Sequence, residues 1–143
     1  AVASLNIKSA TVDPALLDAT DVLLVNEHEL ADLIGAVDLV GAPEALAEHG
    51  IERAVVTLGA AGAVVIQGGR VERVPSPRVD PVDTTGAGDA FTGCLALRLA
   101  EGDDLVTATR MAVQVASFTT TRPGAQRSYP TPAEFTAFQS EWS

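Results

Sequence analysis

The chain has 143 residues, 47% of them hydrophobic, with a mean hydropathy of +0.23, which suits one packed α/β-type core and is short for two ordinary domains. Asp and Glu number 19 against 9 Lys plus Arg, a formal charge of −10 that argues against a sequence-independent grip on nucleic acid. The richest apolar stretches are broken by Arg98, Arg110 or Gln114, short of the roughly 18 unbroken apolar residues of a membrane span, and no secretory pattern opens the sequence.

The single cysteine, Cys94, allows no internal disulfide and fits a reducing cytoplasm. The only methionine is Met111, so Ala1 follows initiator removal or begins a fragment. The opening "AVASLN" already reads as a strand, which favours the fragment.

After that strand and a polar turn, "PALLDA" reads as a helix with Asp13 as cap and Pro14 at its first position. "DVLLV" (21–25) is a continuous apolar strand of the kind buried on both faces of a parallel sheet. Helix "EHELADLIG" follows, with Gly35 placed to stop it, and "PEALAEHG" (43–50) ends at another glycine. "RAVVTLG" (53–59) and "AVVIQGGRVERV" (63–74) read as strands, with Gly68-Gly69 as a hairpin turn that makes one sheet edge antiparallel. Three helices are expected at about 88–101, 103–121 and 132–141, the first two apolar nearly all round. Strand, helix, strand order implies right-handed parallel crossovers, with ligands at the carboxyl ends of the strands. Asn26, Thr57 and Thr85 are expected at or just beyond such ends.

The stretch richest in chemistry is "DTTGAGDAF", Asp83 to Phe91. Gly86 and Gly88 can take backbone angles closed to other residues, letting amides from 86 to 89 point into one concavity. The helix start that follows adds unpaired N–H groups and a positive dipole end, which together favour an anion. Asp89 puts a carboxylate where that anion would sit. It would repel a phosphate unless it accepts a proton from a nucleophile attacking that phosphate, the arrangement needed to transfer a phosphoryl group to an alcohol. The plainer alternative is a capped helix with an acidic first turn. A Walker A loop is excluded because no lysine follows Lys8, and a dinucleotide fingerprint is excluded by Phe91.

Three further stretches have both a structural and a functional reading. In "NEHE", Asn26 and Glu29 have capping-box spacing, yet they could also order Mg²⁺ waters beside a triphosphate. His28 between them reads as a solvated helix residue. "TLGAAG", Thr57 to Gly62, is a turn by itself and a nucleotide edge if coupled to an anion site, since Gly59 and Gly62 let backbone come close to a ligand. "TRPGAQRS", Thr121 to Ser128, is an ordinary turn after a helix, or one that folds back beside Asp83 and offers oxygens to a hard cation.

In that order and at those spacings, "NEHE", "TLGAAG", "DTTGAGDAFTG" and "TRPGAQRS" closely resemble the carboxyl-terminal half of the ribokinase (PfkB) family of carbohydrate kinases. The likeness runs over nearly the whole chain, and "TRPGAQRSYP" is most similar to the ribokinase subgroup. The resemblance implies a ribokinase-like α/β fold, mostly parallel with flanking helices, of which residues 1–143 are the carboxyl-terminal, ATP-binding and catalytic half. The amino-terminal half, with most sugar contacts and the lid, has no counterpart in the sequence. The resemblance further implies that Asp89 is the base that deprotonates the sugar hydroxyl, with the amides of Gly86, Ala87 and Gly88 as the anion hole. Asn26 and Glu29 match the family's Asn-x-x-Glu motif, linked to Mg²⁺ and phosphate, and Thr57, Leu58, Gly59, Ala60, Ala61 and Gly62 match its ATP-binding turn, with Gly88 also on the nucleotide. For an activating K⁺ the pattern falls on Asp83, Thr85, Thr119, Arg122, Gly124 and Ser128. Val113 stands where many members carry Asn or His near the adenine.

The activity so implied is ATP-dependent phosphorylation of a sugar hydroxyl by the parent protein, in the cytoplasm, on ribose first and fructose or another ketose as the alternative. The parent would be free of nucleic-acid and membrane partners and able to form a homodimer. A nucleotide-binding fragment without turnover and a non-catalytic remnant are the other two readings. Isolated, the chain is expected to lack sugar kinase activity.

Overall fold

The computed structural model describes residues 2–4, 13–35 and 38–141. They divide into two compact units, one of Ala1–Gly59 with Ala63–Arg73 and one of Ala60–Gly62 with Val74–Ser143.

The first unit carries the sheet. Its strands are β1 (Val2–Ser4), β2 (Val22–Asn26), β3 (Arg53–Thr57), β4 (Ala63–Gln67) and β5 (Arg70–Val74), lying in that spatial order. β1, β2 and β3 pair in parallel and β3 pairs with β4 antiparallel, so the expected parallel sheet with an antiparallel margin is present. Of the expected opening strand "AVASLN", Val2–Ser4 are described as strand; residues 1, 5 and 6, with the polar turn after it, lie outside the described residues. Gly68 and Gly69 join β4 to β5 with φ of 57° and 73°, the two left-handed residues that match a tight turn to the strand twist.

The helices of this unit start and stop where their caps require. α1 (Pro14–Asp18) begins at Asp13, whose carboxylate accepts the Ala15 N–H at 2.9 Å. α2 (Glu27–Ile34) ends at Gly35, where φ is 82°. α3 (Ala42–Glu48) ends with the Ile51 N–H reaching back to the Leu46 carbonyl at 3.0 Å, with Gly50 left-handed between them. Leu23, Val25, Ala54, Val56, Val64 and Ile66 from the strands pack with Leu17, Leu30, Ala42, Leu46 and Ile51 in one apolar cluster. Their strand neighbours Val22, Leu24, Val55 and Val65 are buried too, as a strand covered on both faces requires. Each such side chain contributes ~1.5–3 kcal/mol on burial.

The second unit is helical: α4 (Ala87–Ala100), α5 (Leu105–Thr120) and α6 (Pro132–Glu141), within about two residues of the sequence expectation. α4 and α5 pack against each other. α5 buries half of its 16 residues, but α4 buries only Ala90, Phe91 and Leu95 of its 14, and Leu97 is 57% exposed. Neither of the two helices that read as apolar nearly all round is buried all round: α5 comes nearer, with Arg110 exposed, while the apolar composition of α4 exceeds the surface that its neighbours cover. Asp104 caps α5 through the Thr107 N–H at 3.0 Å, and Arg98 closes the preceding turn by bonding Glu101 and Asp103 at 2.8 and 2.7 Å. No helix among the described residues is long and apolar enough to cross a membrane.

Candidate functional site

In the first unit the parallel register sets Asn26 directly beside Thr57, so the ends of β2 and β3 finish level. Continuing the apolar run past Asn26 would bury an uncapped helix start. Instead the Asn26 side chain accepts the Glu29 N–H at 2.9 Å while the Glu29 carboxylate accepts the Asn26 N–H at 2.8 Å, a reciprocal cap. The structural reading of "NEHE" is therefore realised. It engages the Asn26 amide oxygen and one Glu29 oxygen, and both residues stay half-buried. Among the described residues no three His, Cys, Asp or Glu side chains are grouped to hold a metal. Mg²⁺ beside Asn26 and Glu29 would therefore need waters and a ligand's phosphates to complete its shell, the usual manner of that ion. His28 is exposed, as a solvated helix residue should be.

The "TLGAAG" turn divides in character. Thr57 is half-buried at the strand end and Leu58 packs on the apolar cluster, so Leu58 serves the core. Gly59 is left-handed at φ 57° with open space where a Cβ would stand, and Ala60 and Ala61 are exposed. Gly62 differs: a Cβ there would collide with the Val74 carbonyl and sit 2.7 Å from the Ser76 N. The close approach seen at this glycine is to the protein's own backbone, at residues 74–76.

In the second unit "DTTGAGDAF" forms a turn and then the first turn of α4. No strand ends at Thr85; residues 75–84 contain no strand at all, so Thr85 is positioned by the turn and by Asp83. One Asp83 oxygen accepts the Thr85 N–H and the other accepts the Gly124 N–H, each at 2.9 Å. The Thr85 hydroxyl, then the N–H groups of Gly124 and Thr85, lower the Asp83 carboxyl to about 2 from an ordinary 3.8, because each donor favours the ionised form. The N–H groups of Val82 and Asp83 also donate to the Thr120 carbonyl, at 2.7 and 3.0 Å. "TRPGAQRS" does fold back beside Asp83.

Gly86 opens α4 in the left-handed region, at φ 80°, and a Cβ there would lie 2.8 Å from the Ala125 Cβ. Gly88 does not behave like it. Its φ is not positive, since the second position of a helix must be right-handed, and nothing lies within 4 Å of where its Cβ would be. The open space, not an unusual angle, is what this glycine supplies. The Ala87 N–H donates to the Thr84 carbonyl at 3.3 Å, and among the described residues nothing accepts from the N–H groups of Gly86, Gly88 and Asp89. Asp89 is exposed in that first turn, with no hydrogen bond or ion pair to its carboxylate among the described residues. Its neighbours are peptide donors, so its placement owes nothing to a structural partner.

The residues expected around a monovalent cation gather in two knitted segments, 83–85 and 119–128. Thr119 and Ser128 are fully buried; the Thr119 carbonyl accepts the Arg122 N–H at 3.4 Å, and the Ser128 hydroxyl donates to the Ala125 carbonyl at 2.5 Å. The donors are carboxylate, carbonyl and hydroxyl oxygens, chemistry that suits a hard cation. Arg122 has a second connection that the sequence reading missed. Its guanidinium bonds Glu134 at 2.8 Å and lies 4.5 Å over the Phe118 ring. Glu134 also accepts the N–H and hydroxyl of Thr131, each at 2.8 Å, completing the cap of α6. The spacing Thr131-Pro132-Ala133-Glu134 carries that signal in the sequence. Val113 is buried in α5, and its carbonyl accepts the Ser117 hydroxyl at 2.8 Å.

Comparison with known proteins gives this geometry a lineage. The deoxyribokinase of Salmonella typhi is 38% identical over 125 residues, covering 84% of this chain and 41% of that protein. The solved ribokinase of Thermotoga maritima superposes with a TM-score of 0.86 at 29% identity, over 97% of this chain and 48% of that one. The ribokinase of Arabidopsis thaliana, solved with ribose and ATP, superposes with a TM-score of 0.83 at 30% identity, over 96% of this chain and 46% of its own. The chain thus spans less than half the length of each. The pattern of the pfkB family of carbohydrate kinases matches residues 4–132, and with it the fold and the glycine-aspartate helix start fall into place: the chain belongs to that family.

Proposed function

We propose that the protein to which this chain belongs transfers the terminal phosphoryl group of ATP to a hydroxyl of a sugar, ribose first, with residues 1–143 as the carboxyl-terminal, ATP-side half of the catalytic domain. The observation that carries this reading is Asp89, an exposed carboxylate without a protein partner in a helix turn whose N–H groups are free. A carboxylate there would repel an anion, and beyond the modest favourable interaction of any first-turn acid with the helix dipole it has no partner to hold, so its proposed use is to receive a proton. Asp89 accepts the hydroxyl proton as the sugar oxygen bonds to the γ-phosphorus, and the bond from that phosphorus to the bridging oxygen of ADP breaks. Charge developing on the transferred group is met by the amides of Gly86 and Gly88, with Ala87 contributing less because Thr84 already accepts its N–H.

Asn26 and Glu29 hold Mg²⁺ through its waters, and that ion, when bound, neutralises the phosphates. Thr57, Gly59, Ala60 and Ala61 border the nucleotide, with Leu58 and Gly62 shaping the turn from beneath. Oxygens of Asp83, Thr85, Thr119, Arg122, Gly124 and Ser128 would hold K⁺, whose charge would steady the segment before α4. The cytoplasm and a homodimer of the full-length protein belong to the same reading. Fructokinase and aminoimidazole riboside kinase are among the structural relatives, which makes a ketose the first alternative to ribose. The test is ATP-dependent phosphorylation by the full-length protein over D-ribose, 2-deoxy-D-ribose, D-fructose and a riboside. Turnover fastest on ribose is expected; turnover on none of them overturns the reading.

A further inference from the structure

The Arg122–Glu134 pair invites a role beyond local stability. Both side chains are about 40% exposed, at 40% and 38%, and pairs so wetted add little to folding. Yet this one stands at the head of a continuous run of short contacts. Glu134 is fixed by Thr131 at the start of α6, and Arg122 is fixed between Glu134 and the Phe118 ring. Phe118 is itself braced edge-on by Phe138 of α6, with ring centroids 5.4 Å apart at 87°. Two residues on from Arg122, the Gly124 N–H holds Asp83, and Ala125 lies against the bare Cα of Gly86. Gly86 is the left-handed residue that sets how α4, and therefore Asp89, leaves the turn.

We propose that Glu134 is a positioning residue for the phosphoryl-transfer turn, acting through the Arg122 guanidinium and the 122–125 segment on the Asp83–Gly86 turn. The proposal rests on the functional reading above. The geometry leaves no slack at its far end, since a single added carbon on Gly86 would already meet Ala125 at 2.8 Å. A small swing of residues 124–125 must therefore move the turn. Displacements of about 1 Å at a reacting centre can cost roughly a hundredfold in rate, whereas a surface pair released into water changes stability little. The clamp is thus worth more to geometry than to folding.

The test uses Glu134→Gln and Arg122→Gln in the full-length protein. Gln serves as well as Glu in the α6 cap, so Glu134→Gln removes the ion pair and leaves the helix start intact. Amide hydrogen exchange at Gly124 reads the clamp without any turnover. Exchange there is expected to quicken about tenfold in both variants, with amides in the middle of α5 unchanged and the melting temperature held. Alongside, kcat is expected to fall roughly five- to fiftyfold with KM for ATP within about twofold, a loss of transition-state positioning rather than of binding. Gly124 exchange and kcat both within about twofold of wild type, in both variants, overturn the proposal. A wild type that phosphorylates no sugar overturns the functional reading instead, while the exchange measurement still decides the clamp.

Discussion

Gly86 and Gly88 stand two residues apart in one motif, and the structure predicts opposite outcomes when each becomes alanine. At Gly86 the backbone is left-handed, φ 80°, and the new Cβ would lie 2.8 Å from the Ala125 Cβ and 3.1 Å from its Cα. The left-handed conformation costs an alanine ~1–2 kcal/mol. The clash falls on a backbone-fixed methyl that cannot rotate away, and forced repacking of that kind costs a further ~1–3 kcal/mol. Gly86→Ala should therefore lose ~2–5 kcal/mol of unfolding free energy. At Gly88 the backbone is already helical and nothing lies within 4 Å of the new methyl. Alanine there should be neutral or stabilising by up to ~1 kcal/mol, the ordinary gain of alanine over glycine in a helix. On the proposed function, however, its methyl would stand in the path of a phosphoryl group to the free N–H groups of Gly88 and Asp89. Gly88→Ala should keep its stability and lose roughly tenfold or more in kcat/KM for ATP. Urea unfolding and steady-state kinetics on the full-length protein measure both. A Gly86→Ala protein as stable as wild type, or a Gly88→Ala protein with kcat/KM within about twofold, refutes the reasoning.

Two more predictions concern carboxylates. The Asp83 pKa is depressed to about 2 from 3.8, so its contribution to stability is fully present above its unfolded value and is lost as pH falls from about 4 through about 2; the melting-temperature gap between wild type and Asp83→Asn should narrow over that window, and a gap independent of pH contradicts it. Glu134 is depressed in the same direction, to about 2 from 4.5, by the Thr131 N–H first and Arg122 after it, so the comparison is made by difference with Asp83→Asn alone. Glu29→Gln keeps both hydrogen bonds of the cap with Asn26 and should melt within a degree or two of wild type while weakening ATP–Mg²⁺; equal KM for ATP at limiting Mg²⁺ would leave Glu29 a capping residue only.

The fold was legible wherever one local rule acted alone. Asp13 with Pro14, Gly35, and the Gly68-Gly69 pair each announce an element boundary, and the boundaries stand where those residues put them. The motif "NEHE" was legible as two hypotheses at once, because one residue pair satisfies both a helix cap and a metal-water shell. What the sequence could not show was how identical residues are used. Gly62 and Gly59 look alike in "TLGAAG", yet one is pressed on the backbone of residues 74–76 and the other faces open space. Gly86 and Gly88 look alike in "TTGAG", yet only the first needs its φ. Those differences arise from segments far along the chain, as does the bond from Asp83 to Gly124, which no spacing rule predicts. The burial of α4 was overestimated for a related reason: apolar composition tells what a helix could cover, not what covers it.

Asp89 is the residue on which the proposed phosphoryl transfer depends most directly. Phosphoryl transfer should be measured in the full-length protein and in Asp89→Asn, which preserves size and removes the base, with unfolding free energy followed in parallel. A fall in kcat of roughly 10²–10⁴-fold is expected, with stability changed by no more than ~1 kcal/mol, the scale of a first-turn carboxylate's interaction with the helix dipole. An Asp89→Asn protein that retains kcat within about tenfold of wild type would contradict that role.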